Sequence, residues 1–164
     1  MVRVIMGVKG TGKTKQMIDL INEAAKTEAG NVVCIERGSK LTYDIHNSIR
    51  LVEASEYSID TFDSLKGFIS GLYAGNYDIS QIFIDSLCKI VPSDISPEVE
   101  KFLDWLENFS EKHNIGSHCE IGRFANRTNL FSFVEADSWE SLFALSAQGS
   151  LEVAVQMENS WSSC

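Results

Sequence analysis

The chain has 164 residues, 44% of them hydrophobic, which is enough for one domain with a substantial core and too short for two ordinary domains. Its 23 acidic residues outnumber its 14 basic ones, and the net charge of −9 argues against a nucleic-acid partner. No apolar run reaches the roughly 18 residues of a membrane span, and a glycine-rich motif stands where a signal peptide would need its apolar region, so we expect a cytoplasmic protein.

The first predicted elements are a strand, a glycine-rich loop and a helix. Residues 1–6 are apolar and β-branched, and the apolar residues after Thr14 recur at the i, i+3, i+4, i+7 spacing of a helix. Between them lies a complete G-x-x-x-x-G-K-[ST] sequence, formed by Gly7, Val8, Lys9, Gly10, Thr11, Gly12, Lys13 and Thr14. Strand, loop and helix therefore stand in the order that a phosphate-binding P-loop requires.

The eight P-loop residues predict a site for Mg²⁺ and ATP. Glycines let successive backbone N–H groups converge on an anion, and the positive end of the following helix dipole acts at the same place. Lys13 would bring a cation to the β- and γ-phosphates, and the Thr14 hydroxyl would be a ligand for Mg²⁺. Without a nucleotide, we expect the Lys13 side chain to be solvated.

Strands and helices alternate along the next hundred residues. Helices are predicted after a cap at Asp60 or Thr61 and again from Pro97. Such alternation predicts an α/β fold, with a mainly parallel sheet covered by helices on both faces. The predicted strands lie at Asn31–Glu36, 50–54 and 81–85.

The composition changes near Lys112, after which there is no lysine. Residues 116–129 have little apolar periodicity and predict a loop. Beyond them, residues 130–135 and 151–157 predict strands, with a helix between them that starts at a capping box from Asp137. We therefore divide the chain into a nucleotide-binding domain, 1–115, and a C-terminal segment, 116–164, which either completes that domain or is foreign to it.

Asp85 and Glu36 are the candidate acidic residues of the site. Each ends a predicted strand, and the C-terminal ends of parallel strands meet in the crevice where a P-loop lies. Asp85 would be the second protein ligand of Mg²⁺, and its alternative role is to cap a helix. Glu36 would activate the attacking water, and its alternative is an exposed glutamate paired with Arg37 or Lys40.

These motifs resemble the RecA-like group of P-loop ATPases. The matching residues are Gly7, Gly12, Lys13 and Thr14, then Glu36, then Asp85 with Ser86. Over about residues 1–114 the chain is most similar to small bacterial ATP-binding proteins, some of which carry a twitching-motility label. The resemblance implies a three-layer P-loop NTPase fold, Mg²⁺ and ATP as ligands, and catalytic roles for Lys13 and Glu36.

The chain departs from the RecA-like pattern after the last predicted helix. In that group a hydrophobic strand with a γ-phosphate sensor follows at once, whereas residues 116–120 here are Gly-Ser-His-Cys-Glu. We therefore expect that strand to be missing or displaced. No arginine finger can be assigned, because Arg50, Arg123 and Arg127 are all candidates.

Mg-dependent ATP binding with slow hydrolysis is the first functional hypothesis. The second is a nucleoside or nucleotide kinase with Arg123 and Arg127 in a lid, although the chain has few arginines and no recognisable acceptor-binding pair. The third is a nucleotide-responsive binding module without significant turnover. The choice between ATP and GTP, a protein partner and a homo-oligomer all remain open at the level of sequence.

Overall fold

The computed structural model of the protein describes residues 2–7, 10, 12–93, 97–122 and 134–136. Strands and helices alternate over most of this length. The strands are β1 (Val2–Gly7), β2 (Asn31–Glu36), β3 (Arg50–Glu53), β4 (Ile79–Ile84), β5 (Gly116–Gly122) and β6 (Val134–Ala136). The helices are α1 (Lys13–Thr27), α2 (Phe62–Gly75), α3 (Leu87–Ile90) and α4 (Pro97–His113), with 3₁₀ turns at Lys40–Tyr43 and Ala54–Tyr57.

The described strands form one six-stranded sheet in the order β3-β2-β4-β5-β1-β6. The first five of these pair in parallel, and β6 pairs antiparallel with β1. The protein is therefore α/β with a mainly parallel sheet, as the alternation of elements predicted. Because the five strands run in the same direction, their C-terminal ends meet at one edge of the sheet.

Helices cover both faces of the sheet and give the fold three layers. On one face α1 buries Met17 against Cys34 of β2, and on the other α2 buries Leu65 in the cluster that contains Ile35. Cys34 and Ile35 are neighbours in the chain, so β2 is buried on both faces. This two-sided burial explains why the buried parallel strands are nearly continuous apolar runs.

The start of α2 shows how local sequence sets an element boundary. Thr61, one of the two residues predicted to cap this helix, accepts a hydrogen bond from the Ser64 N–H. The Ser64 hydroxyl accepts one from the Thr61 N–H in return. This capping box satisfies backbone donors that the first turn of a helix leaves without partners.

The prediction of a loop over 116–129 is wrong for its first half, because residues 116–122 form β5. This strand lies between β4 and β1 and pairs with both, so the strand expected to be missing after the last helix is present. The polar residues of β5 concealed it, since their partners lie elsewhere in the chain. The buried Ser117 hydroxyl, for example, is hydrogen-bonded to that of Ser110 at 2.7 Å. The domain boundary drawn after residue 115 falls beside this central strand.

The predicted strand at 130–135 coincides with β6 at residues 134–135. Residues 123–129, the predicted helix after Asp137 and the predicted strand at 151–157 lie outside the described residues. In the part of the chain that the structure describes, no helix is both long enough and apolar enough to span a membrane.

His118 is a half-buried polar residue of β5. Its ring stacks on that of Phe83, with centroids 4.4 Å apart. Its Nε2 donates to Oε1 of Gln81 at 3.0 Å, and the Gln81 amide donates to Glu28 at 3.1 Å. Burial, and to a lesser extent the charge of Arg3, lowers the pKa of His118 to about 4.

We expect this histidine to make the protein less stable in mild acid. Histidine titrates near pH 6.5 in an unfolded chain and here near 4, so the unfolded state takes up the proton first. The stability contribution is complete above pH 6.5 and is lost as the pH falls toward 4, by roughly 3 kcal/mol. Urea unfolding across this range should show a smaller loss in His118→Gln than in wild type. His46→Gln, at an exposed site, is the matched control; identical pH profiles for wild type and His118→Gln would contradict the prediction.

Candidate functional site

The candidate site lies where β1 ends and α1 begins. Of the eight P-loop residues, Gly7 is the last residue of β1, Gly10 lies in a turn, and Gly12 precedes α1, whose first residues are Lys13 and Thr14. Gly10 and Gly12 have φ angles of 90° and 84°, which residues with a Cβ atom rarely adopt. The predicted nucleotide-binding residues Val8, Lys9 and Thr11 lie outside the described residues.

Lys13 is buried, which corrects the expectation of a solvated side chain. The residue is 8% exposed, and its Nζ lies 3.6 Å from Oε1 of Glu120. Glu120 is 3% exposed and belongs to β5, at the position paired with Ile5 of β1. The P-loop lysine is thus held in an ion pair by a carboxylate from the neighbouring strand.

Three buried carboxylates occupy neighbouring positions at this edge of the sheet. Ile35 of β2 pairs with Ile84 of β4, and Ile84 pairs with Cys119 of β5. All three of these residues belong to the core under α2 and α4, so the residue that follows each one faces the opposite side, where α1 lies. Those following residues are Glu36, Asp85 and Glu120.

Asp85 follows β4 directly and is 8% exposed. Its Oδ1 is buried and has no hydrogen-bond partner among the described residues. Burial raises the pKa of this carboxyl, while the Ser86 hydroxyl and the charges of Lys89, Lys40 and Lys13 act in the opposite direction. A buried oxygen without a partner is unusual in a folded protein, and it fits a position that a cation would complete.

Ser86 holds a strained backbone conformation beside Asp85. Its φ and ψ are both 54°, in the left-handed region that non-glycine residues seldom enter. Its hydroxyl accepts a hydrogen bond from Nζ of Lys89 at 3.1 Å. Strain of this kind costs on the order of 1–3 kcal/mol and concentrates at functional sites.

Glu120 resembles Asp85 in its surroundings. Its Oε2 is buried without a hydrogen-bond partner in the described part of the chain. Burial raises its pKa, and so does the charge of Asp85, whereas Lys13, Ser86 and Lys89 lower it. The sequence analysis missed Glu120 because it lies in the segment predicted to be a loop. The alternation of Cys119 and Ile121 around it was the signal that indicated a strand.

Glu36 has a different environment, although it is only 2% exposed. Its two carboxylate oxygens accept the backbone N–H groups of Lys40 and Leu41, each at 3.1 Å. Burial raises the pKa of Glu36, and these two N–H groups lower it. The carboxylate therefore holds the 3₁₀ turn that follows β2. The role of Glu36 in activating water stays a prediction.

Thr14 and Asp85 suit the first-row needs of a magnesium ion bound beside a nucleotide. In the described ranges no group of three or more His, Cys, Asp or Glu side chains is arranged as a metal site. Mg²⁺ at a P-loop, however, is held mainly by phosphate oxygens and water, with one hydroxyl and one carboxylate from the protein. Thr14, exposed in the first turn of α1, and Asp85 are of the right chemical types.

Comparison of the chain with models of known protein families finds no match, and a search among curated proteins finds none either. The position and chemistry of the site are therefore the grounds for proposing a function. Ligands of parallel α/β sheets bind outside the C-terminal ends of the strands, which is where Lys13 and the three carboxylates lie.

Proposed function

We propose that the protein binds Mg·ATP at the loop between β1 and α1 and hydrolyses it slowly, as a P-loop NTPase. One observation carries the proposal. Lys13 of the G-x-x-x-x-G-K-T sequence is buried beside carboxylates at the ends of two neighbouring strands, and both Asp85 and Glu120 have a buried oxygen without a partner. Such a group of charges is costly in a folded protein unless a ligand completes it, and Mg²⁺ with a polyphosphate would do so.

Each residue has a role in this proposal. Lys13 exchanges Glu120 for the β- and γ-phosphates, and the N–H groups at the start of α1 bind the same anion. Thr14 and Asp85 would hold Mg²⁺, which when bound neutralises phosphate charge and orients the nucleotide. The charges of Lys40 and Lys89, which act on Asp85, moderate the negative potential that a net charge of −9 would otherwise present to ATP.

We further propose that the protein is RecA-like. In that group a strand follows the helix after the metal-binding strand at once, and β5 follows α4 in this way. The carboxylates predicted from the resemblance, Glu36 and Asp85, end β2 and follow β4 respectively, and both lie at the same edge of the sheet as Lys13.

Asp85→Asn is expected to weaken ATP binding in Mg²⁺ by roughly tenfold or more, since a lost contact to a charged group costs about 1.5–3 kcal/mol. Binding in EDTA should change much less, because the amide keeps the shape of the side chain and loses only the charge that faces the cation. ATP titrations in both conditions measure the difference. Asp104→Asn, at an exposed position of α4 on the other face of the sheet, is the control. If Asp85→Asn weakened binding equally in both conditions, Asp85 would be a structural residue.

The kinase and the binding module gain no specific support from the described residues. Arg50 starts β3, at the edge of the sheet opposite to Lys13, and the two arginines of the supposed lid, Arg123 and Arg127, lie outside the described residues. Phosphate release from ATP and GTP, measured with and without a panel of nucleosides, tests the proposed function. Turnover without any acceptor supports the NTPase, and turnover that requires an acceptor would replace it with the kinase.

A further inference from the structure

We propose that Glu120, and not Glu36, is the carboxylate that takes the proton from the attacking water. This inference rests on the proposed function, because it assigns a catalytic role within the same site. It depends on three features of the structure: where Glu120 lies, what Lys13 must do when ATP binds, and how the oxygens of Glu36 are already used.

The first feature is the position of Glu120 beside the P-loop lysine. Its Oε1 lies 3.6 Å from Nζ of Lys13, while its Oε2 is buried with no hydrogen-bond partner among the described residues. The residue is 97% buried by its relative exposure of 3%, so bulk water does not satisfy that oxygen. A buried carboxylate oxygen without a donor is a position at which a bound water would complete the hydrogen bonding.

The second feature is the exchange that a nucleotide forces on Lys13. Triphosphate oxygens carry more negative charge than one carboxylate and would draw the ammonium group away from Glu120. Glu120 then faces the terminal phosphate without its former counter-charge. Two anions repel unless a donor stands between them, and a water molecule that donates to Glu120 and lies against the phosphorus meets that need.

The third feature is that Glu36 has both carboxylate oxygens in use. They accept the N–H groups of Lys40 and Leu41, at 3.1 Å each, and so fix the turn after β2. A proton on Glu36 would weaken these two bonds at the moment of reaction. Glu120 has no such constraint on its Oε2.

The chemical step is a hydrolysis in which all atoms are accounted for. One O–H bond of the water breaks as Glu120 takes the proton, and the water oxygen forms a bond to the γ-phosphorus. The bond between that phosphorus and the β,γ-bridging oxygen breaks, and ADP leaves with the electron pair. Glu120 afterwards returns its proton to the inorganic phosphate or to solvent.

The test compares glutamine variants of carboxylates in the same sheet. Glu120→Gln keeps the size of the side chain and removes the base, and Glu36→Gln does the same at the competing residue. Glu53→Gln is the matched control, since Glu53 pairs with Glu36 from β3 and is partly exposed. For each variant, ATP affinity is measured by titration and hydrolysis by single-turnover phosphate release.

We expect Glu120→Gln to bind Mg·ATP at least as tightly as wild type and to hydrolyse it roughly 10²-fold more slowly or worse. Glu53→Gln should match wild type. Unchanged hydrolysis in Glu120→Gln, or its loss in Glu36→Gln alone, would overturn the inference while leaving the proposed function in place. Absence of ATP binding by the wild-type protein would overturn the proposed function and this inference with it.

A second variant protects the test against a folding defect. Glu120→Asp keeps the charge and withdraws it by one methylene, so it should fold if charge alone is needed beside Lys13. We expect its hydrolysis to be slowed at least tenfold, because a base must lie within hydrogen-bond reach of the water. Hydrolysis at the wild-type rate in Glu120→Asp would count against a positioned base at this residue.

Discussion

A chain that ends after Ile115 is expected to be insoluble or molten, because it lacks β5, which lies inside the sheet between β4 and β1. The loss removes the backbone hydrogen bonds on both sides of a seven-residue strand. It also removes Cys119 and Ile121, both almost completely buried, and exposes the facing edges of β4 and β1.

The expected size of this effect exceeds what a small domain can tolerate. Burying a large apolar side chain contributes about 1.5–3 kcal/mol, whereas the whole stability of a domain is about 5–15 kcal/mol. Parting β1 from β4 adds the loss of contacts across the core to that figure. A chain ending after Ala136 keeps all the described strands and serves as the comparison. Circular dichroism and thermal melting distinguish the two, and a cooperative melt of the 1–115 chain would show that β5 is dispensable.

Replacement of Lys13 is expected to abolish ATP binding, but the ion pair with Glu120 affects how that experiment is designed. Lys13→Met alone would leave the buried Glu120 carboxylate without its counter-charge, which can cost several kcal/mol and unfold the protein for reasons unrelated to ATP. The informative comparison is between Glu120→Gln and the double variant Lys13→Met/Glu120→Gln. Both lack the carboxylate, and they differ only in the lysine.

We expect the double variant to bind Mg·ATP at least 100-fold more weakly than Glu120→Gln. Lys13 would contact both the β- and the γ-phosphate, and each charge-assisted hydrogen bond contributes about 1.5–3 kcal/mol. Lys15→Met is the control for loss of a lysine, since this residue is exposed on the same helix. Equal affinities for Glu120→Gln and the double variant would exclude Lys13 as a phosphate ligand.

The sequence predicts elements well where burial alone determines them. β2 has the predicted bounds, Asn31–Glu36, because a strand buried on both faces is a continuous apolar run. The start of α2 was predicted to within one residue because its cap is a local hydrogen bond of Thr61. β5 was missed because the side chains of Ser117 and His118 find their partners far along the chain. Local composition cannot reveal such partners.

The same distinction between local and distant information applies to the candidate site. The P-loop motif and the end of an apolar strand are local patterns, so Lys13 and Asp85 could be selected from the sequence. Glu120 gains its interest only from lying 3.6 Å from Lys13, which depends on the sheet order. The engagement of Glu36 by the turn after β2 is likewise a tertiary fact.

Calorimetric titration of the purified full-length protein with ATP, in Mg²⁺ and in EDTA, tests the proposed nucleotide site most directly. We expect saturable binding of one nucleotide per chain, tighter in Mg²⁺ than in EDTA, and lost in the Lys13→Met/Glu120→Gln variant. Absence of binding by folded wild-type protein at millimolar Mg·ATP, or binding that survives in the double variant, would contradict the assignment of this site.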